Sequence, residues 1–218
     1  MPFLFIDLDN TVADREGSVR RWAAAYVEQR TGAPAAELAE AVFVADGDGI
    51  RPKPEVADDL QRLFDLTEEE KGEVIKVLRA GVLEHLLPDP EVDAALTRAS
   101  AAGWTPFVVT NGNVAQQNSK LDLLGLRPLV AGMVVSEGVG VKKPDPRIFD
   151  LAAEAGGGTL EDAWMVGDTA AADIAGAQAA GIRSIWMRRG RDWPAELPAP
   201  TAIVDTFAEA VEVVLASG

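Results

Sequence analysis

The chain predicts an α/β fold: a mostly parallel sheet covered by helices and interrupted, straight after its first strand, by a helical insertion. Three observations predict it. Beyond residue 88, short apolar runs alternate with helical patterns. The N-terminal run Phe3-Leu4-Phe5-Ile6 is apolar at every position, as a strand buried on both faces would be. Between about residue 16 and residue 86 the strand signal disappears and helical periodicity replaces it.

Taken in order, Phe3 to Leu8 is the first strand, and Thr105 to Thr110, Gly132 to Val135, Ala163 to Gly167, Ile182 to Met187 and Ala202 to Val204 follow. Asp89-Pro90 and Asp145-Pro146 each read as an N-cap with proline in the first helical position, and Gly103 and Gly156 stand where those helices should stop. Thr159 with Asp162 and Thr206 with Glu209 have capping-box spacing, which predicts two further helix starts. Within the insertion, Val19, Trp22, Ala23, Tyr26 and Val27 share one helix face. Glu55 to Phe64 is a second amphipathic segment, and Thr67-x-x-Glu70 opens a third that runs toward Leu86. The expected division is a core of residues 1–15 and 88–218 and a helical domain of residues 16–87. Both ends of that domain should leave from the sheet edge, making it a lid with hinges near Asp14 to Ser18 and Leu87 to Glu91.

At 218 residues such a chain can bury a substantial core. Its net charge of −15, from 35 acidic against 20 basic residues, repels nucleic acid and anionic lipid, so neither is an expected partner. A small phosphorylated ligand stays compatible, because a local cation can reverse the field inside a cleft. The absence of cysteine excludes disulfides, thiolate metal sites and cysteine nucleophiles. With an apolar start too short and too acidic for a signal peptide and no run of membrane-spanning length, a soluble cytoplasmic protein, monomeric or homodimeric, is expected.

The first strand opens into Asp7-Leu8-Asp9-Asn10-Thr11, where two carboxylates fall on one side of an extended chain. Adjacent carboxylates at a buried strand end require a cation, a proton or dense hydrogen bonding. Ligands of open parallel sheets bind beyond the carboxyl ends of strands, and the other strands lead there into Thr110-Asn111-Gly112, Lys142-Lys143-Pro144 and Gly167-Asp168-Thr169, with Asp173 further on.

In order, spacing and strand placement these four segments resemble the motifs of the haloacid dehalogenase superfamily. The likeness covers nearly the whole chain, the insertion resembling that family's C1-type helical cap and the remainder its Rossmann-like core. The resemblance implies a Mg2+-dependent phosphatase that hydrolyses a small phosphomonoester. Asp7 would be the nucleophile that forms an aspartyl-phosphate, and Asp9 would protonate the leaving oxygen and then deprotonate the attacking water. The dehalogenating branch lacks an acid at the position of Asp9, which favours phosphate chemistry. By the same resemblance Asp7, Asp168 and the backbone carbonyl of Asp9 would hold Mg2+, with Asp173 outside them orienting a water or Lys143. Lys143 and Thr110 would bind the phosphoryl group, helped by N–H groups near Asn10, Asn111 and Gly112. Analogy with C1 caps makes Arg51 and Lys53 candidates for contact with an anionic leaving group. A phosphotransferase or mutase with the same intermediate, or an idle phospho-ligand-binding protein, is the alternative.

Asp46 to Lys53 superficially suggests a calcium loop, but Ala57 stands where an EF-hand requires an acid, so a turn is expected. His85, the only histidine, reads as a packed hinge residue, and Trp193, in a polar proline-bearing loop, as exposed.

Overall fold

Phe3–Ile6 (β1) is buried at all four positions, which is what places it in the middle of a parallel sheet. The computed structural model describes residues 1–217, and among these six parallel strands run in the order β3-β2-β1-β4-β5-β6. The others are Thr105–Thr110 (β2), Met133–Val135 (β3), Trp164–Gly167 (β4), Arg183–Met187 (β5) and Ala202–Val204 (β6). β1 is flanked by β2 and β4, so the chain builds outward in one direction as far as β3 and then returns to build the other half. That reversal creates a crevice at the carboxyl ends of β1, β2 and β4, the Rossmann-like arrangement.

The chain divides into two compact units, one of Met1–Ala13 with Pro88–Gly218 and one of Asp14–Leu87. In the first, Phe3, Phe5, Phe107 and Met165 pack with Ile148, Phe149 and Ala152 in one cluster, and the Phe3 and Phe5 rings stack at 5.0 Å. Because strand side chains alternate, Leu4 and Ile6 are buried on the opposite face.

The second unit contains Arg15–Thr31 (α1), Ala36–Asp46 (α2), Lys53–Phe64 (α3) and Glu68–Glu84 (α4). Asp14 caps α1 by accepting from Gly17 N, and Thr67 and Glu70 close a reciprocal capping box on α4. Its core gathers Val19, Trp22, Tyr26, Val42, Leu60 and Leu78. The remaining helices belong to the first unit: Pro90–Ala101 (α5), Val114–Leu123 (α6), Ser136–Val139 (α7), Arg147–Ala155 (α8), Ala175–Ala179 (α9) and Phe207–Ala216 (α10).

Several expectations are corrected. The insertion carries a further helix, α2, whose Ala35 N-cap makes no side-chain hydrogen bond and so left no start signal. Arg15 already opens α1, so residues 15–18 are helical. Thr159 and Asp162 start no helix: Asp162 turns through φ 57° in a bend before β4, a conformation no right-handed helix accepts. Asp145 does accept from Arg147 N at 3.1 Å, but helical geometry begins at Arg147, after Pro146. Trp193 is half-buried, edge-on to Trp186 at 5.1 Å and donating to Leu197 O. Asp46 to Lys53 forms a short 3-10 turn over Gly47–Gly49 and the start of α3, as expected of a turn.

Candidate active site

Sheet order explains why distant residues meet. Thr110 ends β2, Asp7 follows β1 and Asp168 follows β4, and these three strands are neighbours. Asp7 N still donates to Val166 O at 2.9 Å, so the ladder fixes its backbone while its side chain enters the crevice end. The chain then turns back sharply: Asn10 adopts φ 58°, which asparagine tolerates, and its N–H donates to Ala13 O at 2.7 Å.

Lys143 is buried and its ammonium joins three acceptors, Asp7 Oδ1 at 2.6 Å, Asp173 Oδ1 at 2.7 Å and Val109 O at 2.6 Å. Burial by itself would lower its proton affinity, but the Asp173 and Asp7 carboxylates outweigh burial and push the lysine up to about 12. For Asp7 the balance is reversed. Burial pushes its carboxyl up to about 7, with the ammonium of Lys143 opposing and the charges of Asp173 and Asp9 adding to the rise. Asp173 is likewise raised by burial. One ammonium therefore faces more buried acid than it can neutralise.

Asp7, Asp168 and Asp173 each offer an oxygen, all within 4.8 Å of one another. Hard carboxylate oxygens so placed suit a hard metal cation, which would share Asp168 with Arg191 at 2.9 Å and Arg189 at 3.7 Å. Within that group Asp173 is already engaged at both oxygens, Oδ1 on Lys143 and Oδ2 accepting from Thr169 N at 2.8 Å. Its placement depends on Gly167, where a Cβ would lie 2.3 Å from Asp173 Oδ2.

Asp9 is held elsewhere. Lys120 Nζ lies 2.6 Å from both of its carboxylate oxygens, and Gln117 Nε2 donates to Oδ2 at 3.1 Å and to Thr110 Oγ1 at 2.7 Å. Asn111 uses its side-chain amide on the backbone of Lys143, accepting from Lys143 N at 2.9 Å and donating to Lys143 O at 3.0 Å, ahead of a cis Lys143-Pro144 peptide. Lys142 is exposed, as expected.

Sequence reasoning missed Lys120, Gln117, Arg191 and Trp186. Arg191 Nη2 donates to Asp168 O at 2.7 Å and Oδ2 at 2.9 Å, and Trp186 Nε1 donates to Asp168 O at 2.7 Å. A signal existed for the first pair: Gln117, Lys120 and Leu121 stand at i, i+3 and i+4 on α6, so two polar residues share the helix's buried stripe. Arg51 and Lys53 lie in the helical unit, where Arg51 Nη1 bonds Ala45 O at 2.8 Å and Asp59 Oδ2 at 2.7 Å and Lys53 Nζ bonds Gly49 O at 3.1 Å. His85 ends α4 there, its Nδ1 2.8 Å from Gly81 O.

The model of one protein family, the haloacid dehalogenase-like hydrolases, matches residues 2–181. The chain belongs to that family. This haloacid dehalogenase-like hydrolase is 31% identical over 186 residues to phosphoglycolate phosphatase of Neisseria meningitidis, covering 84% of this chain and 79% of that protein. It is 41% identical over 101 residues to phosphoserine phosphatase of Thermus thermophilus, covering 46% of this chain and 41% of that one. Across five curated relatives including the latter, this chain spans between 41% and 46% of the relative's length. In fold it resembles the HAD-hydrolase YfnB from Bacillus subtilis, solved bound to magnesium, with a TM-score of 0.75 at 21% identity over 98% of both chains.

Proposed function

We propose that this chain is a Mg2+-dependent phosphatase that hydrolyses a small phosphomonoester through a phosphorylated Asp7. The observation that carries this reading is the 2.6 Å contact between Lys143 Nζ and Asp7 Oδ1 at the end of β1, with a second acid, Asp9, two residues on. The names of the Thermus and Neisseria relatives, both phosphatases of small esters, support it.

Asp7 attacks phosphorus with a carboxylate oxygen, a P–O bond forms to Asp7 and the P–O bond to the ester oxygen breaks. Asp9, which enters this step carrying a proton taken from solvent, gives it to that departing oxygen. Water then attacks phosphorus, passes a proton to Asp9, and phosphate leaves as the bond to Asp7 breaks. Lys143 orients the nucleophile and offsets the repulsion between an anionic carboxylate and an anionic ester. Gln117 donates to the Thr110 oxygen at 2.7 Å, and the Thr110 O–H, which donates to Asn111 O at 3.3 Å, would turn from that carbonyl to a phosphoryl oxygen. Asp7, Asp168 and the backbone carbonyl of Asp9 would hold Mg2+, which supplies further charge neutralisation when bound. Asp173 keeps Lys143 in place. The unit of Met1–Ala13 and Pro88–Gly218 thus carries the chemistry, and Asp14–Leu87, with Arg51 and Lys53, the choice of ester. Among the described residues no helix is long and apolar enough to cross a membrane.

The test is phosphate release from p-nitrophenyl phosphate and a panel of small esters, with Mg2+ and with chelator. Wild type should turn over only with Mg2+, and Asp7→Asn should lose at least about 1,000-fold in kcat. Equal turnover by Asp7→Asn, or none by wild type on any ester, would overturn the reading, the latter in favour of a binding protein.

A further inference from the structure

A lysine buried in a helix and turned toward a strand end is costly unless its charge is matched. Lys120 is 2% exposed, and its ammonium reaches Asp9, 111 residues earlier, at 2.6 Å from each carboxylate oxygen. Three residues before it on α6, Gln117 is equally buried, and its single Nε2 serves Asp9 Oδ2, Thr110 Oγ1 and, at 3.4 Å, Asn111 O. One helix face thereby fixes the plane of a carboxylate from β1 and the hydroxyl from β2. Three donor contacts meet its two oxygens, so turning the carboxylate out of that plane weakens them. Asp9 itself keeps 26% of its side chain exposed, so the pinned group still has an open side.

We propose that Lys120 and Gln117 are positioning residues that hold the Asp9 carboxylate in register with the departing ester oxygen. This rests on the phosphatase reading, in which Asp9 delivers a proton to that oxygen while the bond to phosphorus breaks. Proton delivery is sensitive to placement, since donor and acceptor must lie within hydrogen-bond reach as the transition state forms. The contribution should therefore grow with the need for that proton. A phenyl ester leaves poorly without one, whereas p-nitrophenolate leaves readily as the anion.

The experiment measures kcat/KM, which reports transfer to Asp7, on phenyl phosphate and p-nitrophenyl phosphate with saturating Mg2+. Lys120→Met should lower kcat/KM about 100-fold on the phenyl ester and less than about 5-fold on the nitrophenyl ester. Gln117→Met, which leaves the ammonium in place, should act in the same direction by about 5-fold on the phenyl ester alone, and decides the matter if Lys120→Met does not fold. In an Asp9→Asn background, adding Lys120→Met should change kcat/KM by less than about twofold, because the group it positions is gone. Equal losses on both esters, or an undiminished loss in the Asp9→Asn background, would mean that the pair supports the fold alone and overturn the proposal. Wild type inactive on these two and on every other ester of the panel sinks the phosphatase reading and this inference with it. Active wild type, dead Asp7→Asn and leaving-group-blind Lys120 and Gln117 variants sink this inference only.

Discussion

Asn111 and Lys143 are tied by a reciprocal pair of hydrogen bonds, the side-chain amide of one reading the backbone N–H and C=O of the other as a neighbouring strand would. The tie crosses from the end of β2 to the loop after α7 and sets the point from which the Lys143 side chain reaches Asp7. Asn111→Ala is expected to lower unfolding stability by about 1 to 2 kcal/mol, since a half-buried backbone donor and acceptor lose their partners. It should also reduce kcat by about 10-fold, through loss of lysine placement. Urea denaturation and steady-state kinetics read the two effects, and full activity would show that the loop carrying Lys143 holds its place without the amide.

The crevice should make stability depend on both pH and Mg2+. Burial raises the Asp7 carboxyl from 3.8 to about 7, so between those values the folded chain keeps a proton that the unfolded chain has released. Without divalent ions, stability from this group is therefore complete below about pH 4 and is lost as pH rises through about 7. Mg2+ bound as proposed would offset the buried negative charge that Asp7 gains as it ionises, so its stabilisation should be larger at pH 7.5 than at pH 5. Thermal melts at both pH values with Mg2+ or chelator test this, and Asp7→Asn should remove most of the difference.

Strands were legible because central parallel strands have no polar face to confuse the pattern, and the strand-end positions of Asp7, Thr110 and Asp168 could be located because Thr110 closes such a run and Asp7 and Asp168 each follow one. What the sequence concealed is long-range. Lys120 looks like an ordinary helix lysine until β1 places Asp9 against it, and Arg191 belongs to a loop that no local rule aims at Asp168. α2 was hidden for a local reason, having no side-chain cap at Ala35, and Asp162 misled because its spacing satisfied a capping rule while its backbone took a left-handed turn.

Lys143→Met tests how much the crevice depends on its central ammonium. The variant keeps most of the volume but leaves Asp7 and Asp173 facing each other in a buried site. Removing one partner of such an arrangement costs about 3 to 5 kcal/mol. The loss should be smaller at pH 5, where Asp7 holds its own proton, than at pH 8, and activity should vanish at both. Chemical denaturation at the two pH values decides it, and a pH-independent loss would mean the lysine acts through packing alone.

In the helical unit, one substitution made at two places on α4 should have opposite signs. A Cβ at Gly81 would stand 1.8 Å from Trp22 Cδ1 on α1, and that ring is 4% exposed and stacked on Tyr26 at 5.1 Å. Tyr26 is in turn braced edge-on by Phe64 at 5.1 Å, so the indole has no free direction in which to move. Gly81→Ala must therefore shift backbone, costing about 1 to 3 kcal/mol and exceeding the roughly 1 kcal/mol that alanine contributes to a helix interior. Gly72, exposed on the same helix, has nothing within 4 Å of the place a Cβ would take, so Gly72→Ala should gain up to about 1 kcal/mol. Parallel thermal melts of the two variants check the pair. A stabilised Gly81→Ala would show that the α1–α4 interface yields, and the Trp22 stack would then be no constraint on the spacing of those helices.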